Sequence, residues 1–465
     1  MSDQSNKAVA AFNPALKTLG AMMLVVSAAS PASSVFVIMP MAITQAGSGA
    51  IASFALAAVL ALLIAFIYAE LSSAFPTTGG EYTMTGRTLN RFWGFIMLVL
   101  IVLSLILVIS VMALGMSTYL AVLGLQLDEQ WTAVLVVVAA TCVAVLHVKL
   151  NAFVTGMFLS IEILALLLLS VLGFLHVERP LLQMVAEPVM ISTTHNSLTP
   201  ASLGLILGTM SVALFSYSGY GSATYFGEET HDAKRSIGRV IMLALAICVV
   251  TQFIPLIAVL AGSPDLIQLF SSPQKIAYFL EARAGHTATL IISLAVASAI
   301  FNAVIALVLQ AGRLLYSTGR DRTWFAPLNT MLETIHPKTN SPWVATVIAA
   351  VICAATCFVS LNRLLLLSGT ALIFVYMLLC VAVIAGRYNG STNNGHYRMP
   401  WFPIPAVLCL LGIGYVFYQN ALDQDFGQPS LIITGQIMGA ASLYYLFFLA
   451  RRKDWHFHVP PDHQS

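Results

Sequence analysis

The sequence predicts an all-α polytopic membrane protein with twelve spanning helices. Three observations predict it. First, 59% of the 465 residues are hydrophobic and only 9% are charged, whereas soluble domains carry about 25% charged residues. So few charges cannot cover a soluble protein of this size, but lipid accepts an apolar exterior. Second, apolar runs of about 20 residues, the length a bilayer requires, recur along the whole chain. Third, with the N-terminus placed in the cytoplasm, seventeen of the twenty-one Lys and Arg residues fall on the cytoplasmic side and four (Arg179, Lys275, Arg283 and Arg363) fall outside, as positive-inside topology requires.

Taken in order, a polar N-terminal tail (1–16) precedes spans at 17–46, 48–75, 91–124, 129–147 and 150–177. The first sixteen residues do not read as a cleavable signal peptide. An extracytoplasmic loop (178–202) follows, then spans at 203–227, 236–261, 287–317, 342–360 and 362–386, so that 203–386 forms a second block of five matching the first at 17–177. In the outer segment 263–286, Leu266–Phe270 and Ile276–Leu280 read as short amphipathic helices. Two further spans, 401–420 and 429–450, lie within the last unit (387–450), and a cytoplasmic tail (451–465) ends the chain. Both tails are expected to be mobile. The expected location is the cytoplasmic (inner) membrane, with both termini inside and the lipid bilayer as the solvent of the fold.

The spans are not equivalent. The first contains Ser27-Ala-Ala-Ser30-Pro31-Ala32-Ser33-Ser34. Proline removes a backbone donor and clashes with the preceding turn, and irregular backbone at membrane depth is tolerated only where it is buried or lines a cavity. The sixth contains Phe215-Ser216-Tyr217-Ser218-Gly219-Tyr220-Gly221-Ser222, with two glycines in mid-span. Breaks early in each block of five point to an inverted repeat of spans 1–5 and 6–10, with the binding site at the breaks. The match between the blocks is positional, without residue-level identity. Alone, the first break reads equally well as a proline kink satisfied by serine hydroxyls.

Glu162 sits near the middle of the fifth span, with no basic residue close in sequence. An acid at membrane depth is expensive and is by default a functional hypothesis. It is read as a proton carrier or a partner for an amine, against the plainer reading of a structural acid bonded to a neighbouring helix. Glu70 and Glu81 flank the inner end of the second span, with Arg87 and Arg91 nearby. They are read as cytoplasmic ion pairs, as are Glu228, Glu229 and Asp232 with Lys234 and Arg235. Ser298 and Asn302 share a face of the eighth span and would supply oxygen ligands to a sodium ion near the first.

Other chemistries lack residues to support them. No phosphate-binding loop precedes a Lys-Ser/Thr pair, and no nucleophile–base pair of an enzyme is visible in the spans. The six cysteines lie in apolar runs without a metal-like cluster. No cofactor or metal is expected, and a net charge of +2 does not suggest nucleic acid. Monomer and homodimer both remain open.

Three stretches resemble the amino acid–polyamine–organocation superfamily of transporters. They are Ala69-Glu-Leu-Ser-Ser-Ala-Phe-Pro-Thr-Thr-Gly-Gly-Glu81-Tyr82, the run Phe215–Glu229 ending Gly227-Glu228-Glu229, and Gly312-Arg313-Leu-Leu-Tyr-Ser-Thr-Gly319-Arg320-Asp321 with the following His336-Pro337 and Ser341-Pro342. The resemblance covers spans 1–10; spans 11 and 12 match by length and hydropathy. It implies a LeuT-type 5+5 inverted repeat with broken first and sixth helices and two added C-terminal helices. It further implies secondary active transport, with substrate held by Ser30, Ala32, Ser33, Ser34, Phe215, Ser216, Tyr217, Ser218 and Gly219, and with Phe215 as a gating aromatic. Glu162 falls where relatives carry a residue linked to cation coupling, which suits proton symport or exchange; sodium is the lesser alternative. The Ser/Pro break differs from the Gly-rich break of many relatives and is similar to branches handling amines, polyamines or unusual amino acids.

The leading expectation is therefore a permease for an amino acid, coupled to protons or working by exchange. A polyamine or other amine is the alternative cargo. Tyr217, Tyr220 and Tyr225 offer ring faces to a cation, but the sequence places no clear central acid in the spans apart from Glu162. A membrane sensor that binds without transporting is the alternative from another class.

Overall fold

The structure is a computed structural model that describes residues 16–192, 197–422, 424, 427–452 and 454–457. Parts of the two tails, 1–15 and 458–465, lie outside the described residues. The described chain opens with α1 (Thr18–Ala29) and, after a break at Ser30 and a helical passage (Pro31–Ser33, Ser34–Ile38), α2 (Met39–Ala46). Then follow α3 (Ala50–Ala74), α4 (Gly80–Thr88), α5 (Arg91–Val122), α6 (Glu129–Ala144) and α7 (Val148–Leu175). The second block holds α8 (Leu203–Tyr217), a 3-10 segment (Tyr220–Glu229), α9 (Ala233–Gly262), α10 (Lys275–Arg320), α11 (Trp343–Thr356) and α12 (Leu361–Tyr388). Helices α13 (Ile404–Leu422) and α14 (Gly427–Tyr444) close the bundle.

Among the described residues, nine helical runs are long and apolar enough to cross a membrane, the first of them a 57-residue run, Thr18–Ala74, that includes both arms of a hairpin. Helices α6 and α11 are apolar but shorter. The chain is thus a multi-pass membrane protein. Its exterior is apolar where α7 and α13 turn outward, with Phe153, Leu164, Leu167, Leu408 and Leu411 exposed, which is stable only in lipid.

The broken first helix is the centre of the bundle. α1 packs against α7, α9, α10 and the 3-10 segment, while α9 packs on α3 and α7, and α10 on α5 and α7. Small side chains permit this closeness, as at Gly173, where a Cβ would stand 2.2 Å from the Ala258 carbonyl oxygen; membrane helix pairs use such residues to bring backbones together.

The fold departs from the sequence expectation in two places, the loop 178–202 and the C-terminal tail. The loop 178–202 is not irregular throughout: Val189–Ile191 and Leu198–Pro200 form an antiparallel pair with Val189 opposite Pro200, a small sheet among the helices of the described residues. It seals the turn after α2, because Gly47 (φ 58°) leaves room for the Val189 carbonyl, and the Val189 N–H donates to Ser48 Oγ at 2.8 Å. In the segment 263–286 both expected short helices are present: Leu266–Ser271 is one, and Ile276–Leu280 lies in a second that is joined to the rest of α10 across the non-helical Gly285 (φ 78°, ψ 175°).

The C-terminal tail is docked up to Phe457. Trp455 is buried, the Arg91 guanidinium lies 5.8 Å from its ring centroid, and the His456 N–H donates to the Asp321 carbonyl at 3.2 Å. Phe457 occupies a groove left by Gly86 and Gly94; a Cβ on Gly86 would fall 2.1 Å from its ring. The tail's polar composition argues for mobility, but burial of two aromatic rings outweighs it.

Candidate functional site at two facing helix breaks

Ser30 ends α1 in the left-handed region (φ 38°, ψ 76°), a conformation that costs a non-glycine residue roughly 1–2 kcal/mol. Pro31 follows with no N–H to give. A continuous helix would join the Ala32 N–H to the Ala28 carbonyl; here that N–H donates instead to Glu162 Oε1 at 2.7 Å. The turn Pro31–Ser33 then passes through a π-helical turn, Ser34–Ile38, into α2. The Ser30 hydroxyl donates to Ser33 Oγ at 2.6 Å and lies 3.3 Å from Glu162 Oε1.

The second break is built differently. α8 ends at Tyr217, Ser218 is extended, and Gly219 takes φ 106°, after which the chain resumes as the 3-10 segment. Only glycine fits Gly219, on two counts: its φ lies where a side chain is strained, and a Cβ there would stand 2.6 Å from Ala29 Cα. The two breaks therefore meet backbone to backbone. A hydrogen bond from Ser34 Oγ to the Ser216 carbonyl (2.9 Å) ties them together, and Ser216 Oγ is anchored in turn on Gln252 Oε1 at 2.8 Å.

Around this meeting point lies a cavity lined by Ala28, Ala29, Ser34, Phe215, Ser216, Ser218 and Gly219, among others. Of the residues singled out from the sequence, Ser34, Phe215, Ser216, Ser218 and Gly219 face it. Ser30, Ala32 and Ser33 lie behind the break and engage Glu162 or one another. Tyr217 is buried against the Phe54 ring, 5.5 Å between centroids, and its hydroxyl has no partner. Phe215 lines both this cavity and a second one that reaches α12 and α13, as do Ile38, Leu372 and Tyr376.

Glu162 is fully buried, and its second oxygen, Oε2, has no hydrogen-bond partner. It touches the first break rather than the cavity wall. Asn302 reaches the same helix, donating to Ser27 Oγ at 3.0 Å. Ser298 does not share that role: its hydroxyl donates to the Ala295 carbonyl of its own helix at 2.7 Å.

The acids at the ends of the spans pair with distant partners, not with the bases nearest in sequence. Glu70 joins Arg387, Glu228 joins Arg320 (2.8 Å), and Glu229 joins Arg313 (2.5 Å), a pair buried on both sides. Tyr82 donates to Asp321 at 2.5 Å. Exposed Asp232 and Arg235 approach only to 4.0 Å.

Glu81 is the clearest correction. It is buried at the cavity, not paired with Arg87 or Arg91, and accepts from Tyr68 (2.8 Å) and from Tyr225. Arg87 lies over the Phe75 ring. Gly80 (φ 54°) brings Glu81 inward, since a Cβ there would strike the Tyr225 ring at 2.9 Å. The Gly79-Gly80 pair was the one sequence signal of this close approach.

A model of the amino acid permease family matches residues 16–443. The chain is 23% identical over 400 residues to a branched-chain amino acid permease of Bacillus subtilis, covering 81% of this chain and 82% of that protein. It is 26% identical over 413 residues to the chloroplastic cationic amino acid transporter 7 of Arabidopsis thaliana, covering 84% and 68%. It is 23% identical over 389 residues to a methylthioribose transporter of Bacillus subtilis, covering 79% and 80%. The crystal structure of an Eremococcus coleocola manganese transporter shares the fold, with a TM-score of 0.59 at 14% identity over 96% of this chain and 98% of that one.

Proposed function

The chain belongs to the amino acid permease family of the amino acid–polyamine–organocation superfamily and is a transporter, not an enzyme; from that premise we propose that it is a secondary active permease moving an amino acid across the cytoplasmic membrane by alternating access. The observation that carries this reading is the cavity between the two breaks, where two interrupted helices face each other through Ala29 and Gly219. Backbone groups freed at such breaks can hold a carboxylate and an ammonium group together, which is what an α-amino acid presents.

In this reading the chain crosses twelve times. The run Thr18–Ala74 supplies two crossings, the eight other long runs one each, and the shorter α6 and α11 the remaining two. Spans 1–5 and 6–10 form a LeuT-type inverted repeat, and both termini are cytoplasmic. The driving ion is the proton. Glu162 bridges the break in the first helix and holds one unpartnered oxygen, so a change in its protonation acts directly on the backbone that shapes the site. Phe215 gates the cavity.

Uptake of radiolabelled amino acids into proteoliposomes, with and without an imposed pH gradient, tests this reading. Accumulation of at least one amino acid above its external concentration, collapsing when the gradient is dissipated, is the expected result. Ligand binding without flux would instead make the protein a sensor.

A further inference from the structure

The cavity has a second polar end that the facing breaks do not use. It is formed where α3, the start of α4, the 3-10 segment, α10 and α12 converge. Glu81 lies there, 4% exposed, with Tyr68 and Tyr225 donating to its carboxylate. Among the described residues no Lys, Arg or His is paired with it. Two further buried groups line the same end with unfilled hydrogen-bonding capacity, Gln310 Oε1 and Ser222 Oγ. Tyr376 completes the wall.

Beyond the two tyrosine hydroxyls on Glu81, this end holds acceptors without a cationic donor. A carboxylate accepts only, the free Gln310 oxygen accepts only, and a serine hydroxyl serves either way. Buried acceptors left unmatched are costly, and a carboxylate out of water without a countercharge is costlier still. An anionic group would add repulsion. A neutral apolar side chain would leave Gln310 and Ser222 unmatched and Glu81 without a countercharge. An ammonium or guanidinium group would match them, with tyrosine ring faces beside it. We infer that this end of the cavity is a cation subsite that receives the side-chain ammonium or guanidinium of the transported amino acid, with Glu81 as its countercharge and Gln310 and Ser222 as further acceptors.

The inference rests on the amino acid reading above and narrows it to substrates with a second basic group. The spacing suits a long side chain. Gly219 and Tyr225 are six residues apart along the 3-10 segment, about 12 Å at roughly 2 Å per residue. An extended long-chain amine, with a hydrogen bond at each end, covers that order of length.

Three probes separate the possibilities in a thermal-shift and equilibrium-binding measurement on the purified full-length protein. L-Lysine carries both ends, L-norleucine lacks the distal ammonium, and cadaverine lacks the carboxylate. Lysine is expected to bind at least tenfold more tightly than norleucine in the wild type, with the difference falling to threefold or less in Glu81→Gln. Gln310→Met, which removes an acceptor without removing charge, is expected to weaken lysine several-fold and leave norleucine unchanged. It also carries the test if Glu81→Gln does not fold. Equal binding of lysine and norleucine in the wild type overturns the subsite while leaving the amino acid reading intact. Unchanged discrimination in folded Glu81→Gln does the same. Cadaverine binding as tightly as lysine upholds the subsite and overturns the amino acid reading. Absence of binding by all three probes overturns the subsite.

Discussion

The backbone N–H of Ala32 donates to the side chain of Glu162 at 2.7 Å, between residues 130 positions apart. In an unbroken helix that N–H would belong to Ala28. The acid of α7 thus serves as the missing hydrogen-bond partner of the first helix, and the break at Ser30 and the carboxyl depend on each other.

Glu162→Gln should separate coupling from structure. The glutamine carbonyl still accepts from Ala32, so the protein is expected to fold with an apparent melting temperature near wild type. Uptake driven by a pH gradient should be lost. Undiminished pH-driven uptake in proteoliposomes would remove Glu162 from the coupling role. Glu162→Leu should also lower stability, because it strands the buried Ala32 N–H at a cost of about 1–3 kcal/mol.

Gly219→Ala should abolish transport and destabilise the protein. The residue sits at φ 106°, and its new methyl would stand 2.6 Å from Ala29 Cα. Strained backbone of this kind costs about 1–3 kcal/mol before the clash is counted. A variant with wild-type melting temperature and uptake would show that the breaks do not meet as described.

Phe215→Ala removes a ring that lines both cavities. Uptake should weaken, through a higher KM and slower turnover, with little change in assembly in detergent as judged by gel filtration. Wild-type uptake kinetics in this variant would refute the gate.

Glu229→Gln should destabilise the protein by about 3–5 kcal/mol, the usual effect of removing one partner from a buried ion pair. Arg313 would keep its charge, 1% exposed, without the carboxylate now 2.5 Å away. The double variant Arg313→Met/Glu229→Leu should recover much of the loss, since it leaves no charge stranded. Thermal unfolding of all three proteins in detergent decides this.

Trp455→Ala should release the tail. Truncating a buried tryptophan costs about 3–5 kcal/mol of local packing, and Trp455 is 1% exposed. Limited proteolysis should then cut near residue 452, where the wild type resists. Equal resistance in the two proteins would show that Trp455 does not hold the tail.

Much of the site was legible as a position and little of it as a geometry. Ser30-Pro31 and Gly219 announce interruptions because proline and glycine alter the backbone wherever they stand. Glu162 announces itself by being an acid inside an apolar run. Glu81 gave a misleading signal, since Arg87 and Arg91 lie close to it in sequence. Its real neighbours, Tyr68 and Tyr225, come from two other elements. Likewise Glu228 and Glu229 pass over nearby Lys234 and Arg235 to reach Arg320 and Arg313.

The amino-acid sequence by itself determined that the chain enters the bilayer, where its helices run to within a few residues, and where two of them break. Each of these follows from local composition, because hydropathy and backbone chemistry act over short stretches of chain. Only the tertiary structure decided that the breaks face each other through Ala29 and Gly219, that Glu162 braces one of them from behind, that Glu81 enters the cavity, and that Trp455 and Phe457 dock on the bundle. Those outcomes depend on which helices are neighbours. Neighbours are chosen by the combined fit of many small contacts along whole helices, which no single stretch of sequence carries.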